Sequence, residues 1–562
     1  MLCDAESMGV VAAAVSDTGD ALRTVFTNPG LRRLNLAFGG SLIGDWAYAT
    51  AIAVWAYGIG GAKLVAVWAV IRLLLMAVVT PFTATLADRH DRKMILVGSD
   101  LVRLVLIVSA AIGIWADATI LVFVLAGTAS VVGTPFRPAL RALMPSLVTR
   151  PEELTAANGT SSTLESLSFF VGPAIAGLLL ATTSVPVVLL FDAATFAWSA
   201  LLISGVHSSQ PGRVPTTSED GDEDENEEAG FLRDMVEGFT YMLRHADLRL
   251  VLVLTCAQTV VAGASTVFVV SIAFDLVDLG AQGVGYLDSA LGLGALLGGF
   301  IAISRASANR LGGDFAVGVI LWSLPLVLVA VWPTAAVALL VMAILGLANP
   351  LVDVNLDTLL QRLTPDRLLA RVFGTVESAF IAFMAVGAAV MPLLMDLFGI
   401  RWALGGLGLA IALVVVPALP RLHRLDLTLR APSGLPLLQA IPMFAPLASP
   451  LLETLARQLT THEVSAGSPV FLEGEVGDAF YVIESGEVRI GHGETMLRTE
   501  VAGDYFGEIA LLRDVPRTAD AVAVVDTVLR RLDRTAFLDA ITGDTDAVNA
   551  AESVVSRRLL AG

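Results

Sequence analysis

Ala84-Thr85-Leu86-Ala87-Asp88-Arg89-His90-Asp91-Arg92-Lys93 is a short charged stretch set between two long apolar runs, 64–86 and 94–115. A helix needs about twenty apolar residues to cross a bilayer, and both flanking runs are long enough. Working outward, comparable runs occur near 35–58, 118–136, 162–182, 184–205, 247–274, 284–303, 315–332, 334–352, 373–397 and 400–419. Together they make twelve candidate spans. With 55% of the 562 residues hydrophobic and 16% charged, the composition is that of a polytopic membrane protein and excludes a soluble globule. Alternate connections hold the basic residues: Arg89, Arg92 and Lys93; Arg137, Arg141 and Arg150; Arg213, Arg233 and Arg244; Arg305 and Arg310; Arg362, Arg367 and Arg371. The opposite set offers little beyond Lys63 and Arg401. Basic residues near helix ends stay in the cytoplasm, so both termini are expected there, in a plasma (inner) membrane.

The formal charge of −18 is concentrated in the run from Glu219 to Glu228, between the sixth and seventh spans. Dense like charge opposes compaction, so this reads as a solvated loop dividing the array into six plus six. Leu31-Arg32 and Leu248-Arg249 open the two halves alike, a hint of internal duplication. Residues 8–15 are apolar but too short to span and lack a basic flank, so the first span is expected to direct insertion. Cys3 and Cys256 are the only cysteines, which leaves no disulfide framework and no cysteine metal site.

Beyond residue 420 the pattern changes. Prolines among apolar residues in 431–450 read as a linker that docks rather than a free tether. From 461 onward short apolar segments alternate with Gly474, Gly477-Asp478, Ser485-Gly486, Gly491 to Gly493 and Gly503-Asp504. Closely spaced strands and turns predict a small antiparallel barrel or jelly roll, followed by helices near 534–541 and 545–560.

The decapeptide resembles the major facilitator signature Gly-x-Leu-Ala-Asp-Arg-x-Gly-Arg-Lys, with Ala84 and Asp91 in place of its glycines. That resemblance implies twelve helices in two six-helix bundles. It also implies a cytoplasmic gate at Asp88, Arg89 and Arg92, with the Asp88 carboxylate engaging the positive N-terminal end of the eleventh helix. Further segments are similar to the enterobactin and macrolide exporter branch: Asp100-Leu101-Val102-Arg103, Arg137-Pro138-Ala139-Leu140-Arg141, Leu154-Thr155-Ala156-Ala157-Asn158, Gly172-Pro173-Ala174-Ile175-Ala176-Gly177, Glu237-Gly238, and Leu360-Gln361-Arg362 with Arg371-Val372-Phe373-Gly374. Export of a small amphipathic molecule is what this implies. Independently, the small residues of 172–177 let helices approach closely, and Pro173 leaves a bend.

Charges inside apolar spans are expensive and are candidates for transport and coupling. Asp45, Glu165 and Glu377 are taken first, with Arg72. Asp192 and Asp353 lie near predicted span ends and read as structural, and Asp100 with Arg103 reads as a local pair. A carboxylate shielded from water holds a proton readily, and no phosphate-binding loop for ATP occurs, so a proton or ion gradient is the expected energy source.

Phe506-Gly507-Glu508-Ile509-Ala510-Leu511-Leu512-Arg513-Asp514-Val515-Pro516-Arg517-Thr518-Ala519 resembles the phosphate-binding cassette of cyclic-nucleotide-binding domains, supported by Gly477-Asp478 and Gly486-Glu487-Val488. The resemblance implies binding by Phe506, Gly507, Glu508, Ile509, Ala510, Arg517, Thr518 and Ala519. Arg517 offers a planar fork to the exocyclic phosphate oxygens, and Glu508 accepts the ribose 2′-OH. The Thr518 hydroxyl suits either a phosphate or a guanine amino group; cAMP is preferred because bacterial domains of this kind more often read it. The last helix, through Ala547, Val548, Ala551, Val554 and Val555, is expected to close over the base as a lid. His462 and His492 alone do not make a metal cupin, and the barrel offers no nucleophile and base. It reads as a sensor and not an enzyme, with no cofactor or metal beyond its regulatory nucleotide. No helix-turn-helix follows the barrel, so no nucleic-acid partner is expected.

The expected organisation is a cytoplasmic segment 1–30, a six-helix bundle 31–206, an acidic loop 207–232, a second bundle 233–420, a linker 421–445 and a nucleotide-binding domain 446–562. The expected function is secondary active transport of an unknown small molecule in a lipid membrane, regulated by cyclic nucleotide. The alternatives are a transporter-like receptor that signals without transport, or an exporter of the cyclic nucleotide itself.

Overall fold

The structure is a computed structural model. It describes residues 23, 25–89, 91–148, 150–206, 237–305, 310–429, 432, 434–447, 449–493, 495–542 and 545–561, and not the side chains of 81–90, 151–152, 303–304, 366, 449–450, 545–546 and 559–561. The acidic run 219–228 and the side chains of Asp88 and Arg89 therefore lie outside the described residues. Two compact units, 1–428 and 429–562, are described in turn.

The first unit is helical. Its long helices are α1 (Pro29–Arg89), α2 (Arg92–Trp115), α3 (Thr119–Gly133), α4 (Phe136–Leu143), α5 (Pro151–Thr182), α6 (Val185–Ser204), α7 (Ala246–Ser271), α8 (Gly280–Arg305), α9 (Leu311–Ser323), α10 (Leu326–Val331), α11 (Ala335–Leu363), α12 (Asp366–Phe398), α13 (Ile400–Val415) and α14 (Leu419–Leu429). Among the described residues, eleven stretches are long and apolar enough to cross a bilayer. The first, Pro29–Thr80, has 52 residues. At 1.5 Å per residue it would be about 78 Å long, more than twice a hydrocarbon core. It breaks at Gly60 and Gly61, where φ is +61° at Gly61. The break makes two spans of one helix, so eleven stretches give the twelve crossings expected.

Close backbone approach sets the packing. A Cβ on Gly263 or Gly387 would overlap the backbone of α12 or α7 respectively, and Gly294 and Gly346 stand in the same reciprocal relation across α8 and α11. Without a hydrophobic drive between helices in lipid, such small-residue seams supply the dispersion contact that holds them. The segment 172–177 works in this way on two sides: Gly172 lies against Ile43 O of α1, and Gly177 against Gln282 O and Gly285 of α8. Thr50 donates to Asp288 at 3.0 Å, Tyr57 donates to Asp275, and Lys63 pairs with Asp396 at 2.8 Å, all joining the first half to the second.

Asp91, which stands where the signature has glycine, caps α2 by accepting from Met94 N at 3.0 Å. Its carboxylate satisfies an amide that the helix start leaves open. Arg92 donates to Ala142 O at 2.8 Å, and Lys93 to Val206 O at 2.8 Å. A second capping contact lies at the other end of the unit. Asp426 of α14 accepts from Gly312 N at 2.6 Å and Gly313 N at 3.0 Å, at the N-terminus of α9. Arg305 grips Asp314 of the same helix with two nitrogens, at 2.6 and 2.9 Å.

The second unit has α15 (Leu435–Gln439) and α16 (Ser449–Gln458), then β1 (Thr460–Val464), β2 (Pro469–Phe471), β3 (Ala479–Ser485), β4 (Glu487–His492), β5 (Thr495–Val501) and β6 (Tyr505–Phe506). The short α17 (Glu508–Arg513), β7 (Asp520–Ala523), β8 (Thr527–Asp533), α18 (Arg534–Thr542) and α19 (Thr545–Ala561) follow. Two four-stranded antiparallel sheets form, in orders β1-β8-β3-β6 and β2-β7-β4-β5. Strand β3 is buried on both faces: Tyr481 and Ile483 point into the barrel, and Phe480 and Val482 into a helical layer with Leu438, Phe444 and Phe537. That is why its sequence runs apolar without alternation.

Removing the Asp426 carboxylate strands two buried amides. Asp426→Ala should therefore lower unfolding stability by about 1–3 kcal/mol, read as an earlier thermal transition of the solubilised protein. An unchanged transition would contradict the clamp.

Candidate functional site

In the second unit, β6 turns into α17 at Gly507, whose φ of +90° favours glycine and whose missing Cβ leaves room for Arg517 Nη1. Arg517 arrives from the loop before β7 with its side chain 1% exposed. It donates to Gly507 O at 3.0 Å, Asp478 at 3.1 Å and Ala479 O at 2.8 Å, and its guanidinium lies 4.1 Å over the Phe471 ring. Burial pushes the Arg517 pKa below the ordinary arginine range, against the pull of Tyr481 and Asp478. Burial acts to raise Asp478, but bonds from Arg531 and its own backbone hold it below the usual carboxylate range. The guanidinium is thus pre-aimed by protein acceptors.

Glu508 is fully buried. Its Oε1 accepts from Arg558 Nη1 of α19 at 2.7 Å, while Oε2 is buried without a partner among the described residues. Arg517 Nε is likewise unpartnered. A buried acceptor and a buried donor left open in one pocket are what a polar ligand would satisfy. One cavity is lined by Phe506, Gly507, Glu508, Ile509, Ala510, Arg517, Thr518 and Ala519, the eight residues expected from the sequence, together with Phe471, Ile490 and Arg498. The last three were not anticipated. They lie on β2, β4 and β5, far from the cassette in sequence, and only the strand pairing brings them to it.

Ala547, Ala551 and Val554 of the final helix pack into the helical layer, and among the described residues none of α19 lines the cavity. Its link to the site is Arg558, which also donates to Tyr505 O at 2.9 Å, pairs with Glu500 at 3.3 Å and lies 4.4 Å over the Tyr505 ring. Arg558 thus ties α19 to the cassette by charge, beside the packing of Leu511 against Ala547, Ala551 and Val554 in one apolar cluster.

In the first unit, the expected transport residues fall into separate places. Asp45 pairs with Arg103. This corrects the local pair expected between Asp100 and Arg103, because the guanidinium turns toward α1 and lies 3.9 Å over Phe196 of α6. Arg72 is half-buried and within electrostatic reach of Asp45 but not bonded to it. Glu165 pairs with Arg137 at 3.2 Å, and Glu377 is exposed. Asp353 accepts from Asn349 at 2.9 Å. Asp192, expected near a span end, is wholly buried within α6.

Residues 34–317 match the Major Facilitator Superfamily, just over half of the chain, and residues 461–544 match the Cyclic nucleotide-binding domain. Macrolide efflux protein A of Streptococcus pyogenes is 26% identical over 381 residues, 66% of this chain and 90% of that protein. The cAMP-dependent protein kinase regulatory subunit of Yarrowia lipolytica is 41% identical over 102 residues, 18% of this chain and 27% of the subunit. The cGMP-dependent protein kinase of Plasmodium berghei is 40% identical over 90 residues, 16% of this chain and 10% of the kinase. The chain therefore spans about a quarter or less of these two signalling proteins. With its twelve crossings and its C-terminal antiparallel domain, the chain belongs to the Major Facilitator Superfamily and is a transporter fused to a cyclic nucleotide-binding domain.

Proposed function

We propose that the protein is an ion-gradient-driven exporter of small amphipathic molecules in the macrolide class, and that cyclic nucleotide bound to its second unit sets its rate. The support for regulation is the cavity whose open polar atoms, Glu508 Oε2 and Arg517 Nε, are the chemistry a ribose hydroxyl and a phosphate need. The support for export is the likeness to macrolide efflux protein A over nearly all of that protein's length. In this reading the protein sits in the inner membrane with both ends in the cytoplasm, where the second messenger is made. Phosphate approaches Gly507 and Arg517, displacing the protein acceptors that hold the guanidinium. Asp88, Arg89 and Arg92 form the inner gate.

The ligand preferred is cAMP. A second reading, cGMP, is favoured by Arg498, which lines the cavity beside Ile490 with its Nε held by Glu500 at 2.6 Å. A fixed guanidinium fork bonds guanine O6 and N7, and adenine presents an amino donor at the equivalent edge.

Titration of the purified full chain with cAMP and with cGMP tests the site. Arg517→Ala should weaken binding of the preferred nucleotide by about 2–5 kcal/mol, since a buried partner is lost. Binding of neither nucleotide, or undiminished affinity in the variant, would overturn it.

The Arg558 link makes α19 the element that reports occupancy of Glu508. Arg558→Ala should speed amide hydrogen exchange in 549–561 by about tenfold or more, because a charge-assisted tie to the cassette is gone. Nucleotide should alter exchange in the same segment of the unsubstituted protein. Exchange indifferent to both would remove α19 from the signalling path.

A further inference from the structure

The first six spans gather three carboxylates around one buried arginine. Around Arg103 stand Asp45 of α1, Asp100 of its own helix and Asp192 of α6. Asp100 and Asp192 are 0% exposed, while the Asp45 side chain is 35% exposed. Asp192 Oδ2, Tyr48 Oη and Arg103 Nε are buried with no hydrogen bond among the described residues, and the buried Asp100 carboxylate has the Ser199 hydroxyl beside it. Gly44 makes the space: a Cβ there would overlap Asp192 Oδ1 and Thr195 Oγ1. The other charged groups facing the cluster are Arg72, and Arg137, which is already paired with Glu165.

We infer that Asp100 and Asp192 are the inner members of a proton-binding site, that Asp45 is its port, and that Arg103 is the group that changes partner. This rests on the ion-driven export proposed above. One guanidinium balances one ionised carboxylate, and two further ionised carboxylates with only the Ser199 and Thr195 hydroxyls beside them are too costly inside a membrane helix bundle. Protonated, each becomes a donor as well as an acceptor. Exchange then follows from exposure. The proton leaves Asp192 for the Asp45 carboxylate, Arg103 moves its ion pair from Asp45 to the newly ionised Asp192, and Asp45 gives the proton to water. Reloading is the reverse, and no other reactant is needed.

Infrared difference spectroscopy on the full chain in lipid nanodiscs at neutral pH tests the site without any substrate. The carbonyl stretch of protonated carboxyls, identified by its shift in heavy water, should lose intensity in Asp192→Asn and again in Asp100→Asn. Size exclusion and thermal unfolding establish that each variant is folded. A band unchanged in both folded variants would overturn the inference. In proteoliposomes, export of erythromycin driven by a pH gradient should fall to the level of empty vesicles in Asp192→Asn and return in part, with a shifted pH profile, in Asp192→Glu. Export by Asp192→Asn equal to the unsubstituted protein, or export driven by sodium and indifferent to pH, would also overturn it. No erythromycin export by the unsubstituted protein would instead contradict the function proposed above, and the infrared result would still decide this site.

Discussion

The bilayer core offers no water, so every backbone amide and every charge inside it must find its partner in the protein. The first unit is organised around that constraint. Its spans are helices because a helix satisfies its own backbone. They pack through paired glycines such as Gly263 with Gly387 and Gly294 with Gly346, because hydrocarbon gives apolar side chains no reason to leave lipid for each other. Each charge kept within the spans is correspondingly informative. Arg103 is buried between Asp45 and the Phe196 ring. The helix ends obey the same rule where the chain leaves the bilayer: Asp91 and Asp426 each occupy a helix N-terminus whose amides have no other acceptor.

Outside the bilayer the chain uses a different solution. The second unit is small and builds its core on both faces of β3, one face inside the barrel and the other under α15, α16, α18 and α19. This shared strand places the nucleotide cassette beside the helical layer, with Tyr505 and Glu508 reached from α19 by Arg558. Arg517 and Glu508 are buried at the cost of desolvation, with one polar atom on each left open among the described residues, and Glu508 also holds Arg558 of α19. In the first unit, Asp426 fastens α14 to the start of α9.

Much of this was legible in the sequence because the signals are local. Twelve apolar runs predict twelve crossings, and the helix merging the first two still breaks at Gly60-Gly61, within the gap between the runs. The cassette reads from fourteen consecutive residues, and all eight named from it line one cavity. What escaped depends on contacts between distant segments. Arg498 and Phe471 join the cassette through strand pairing alone. Asp100 and Arg103, close in sequence, invite a local pair, yet the side chain of Arg103 crosses to Asp45, fifty-eight positions away. Asp192 lies inside α6, whose bounds match the apolar run 184–205, so the span was legible and the burial of its carboxylate against the neighbouring helices was not. The apolar face of the last helix packs on the helical layer, a partner that its own sequence does not name.

The central claim is that the nucleotide site and the transport path are energetically linked, so that ligand in one changes work done by the other. It is tested most directly by the rate of macrolide export from proteoliposomes, with and without saturating cyclic nucleotide on the sensor side. The account predicts that nucleotide changes the rate for the unsubstituted protein and leaves it unchanged for Arg517→Ala. A rate of export that is the same with and without nucleotide, in a preparation shown to bind it, would contradict the account.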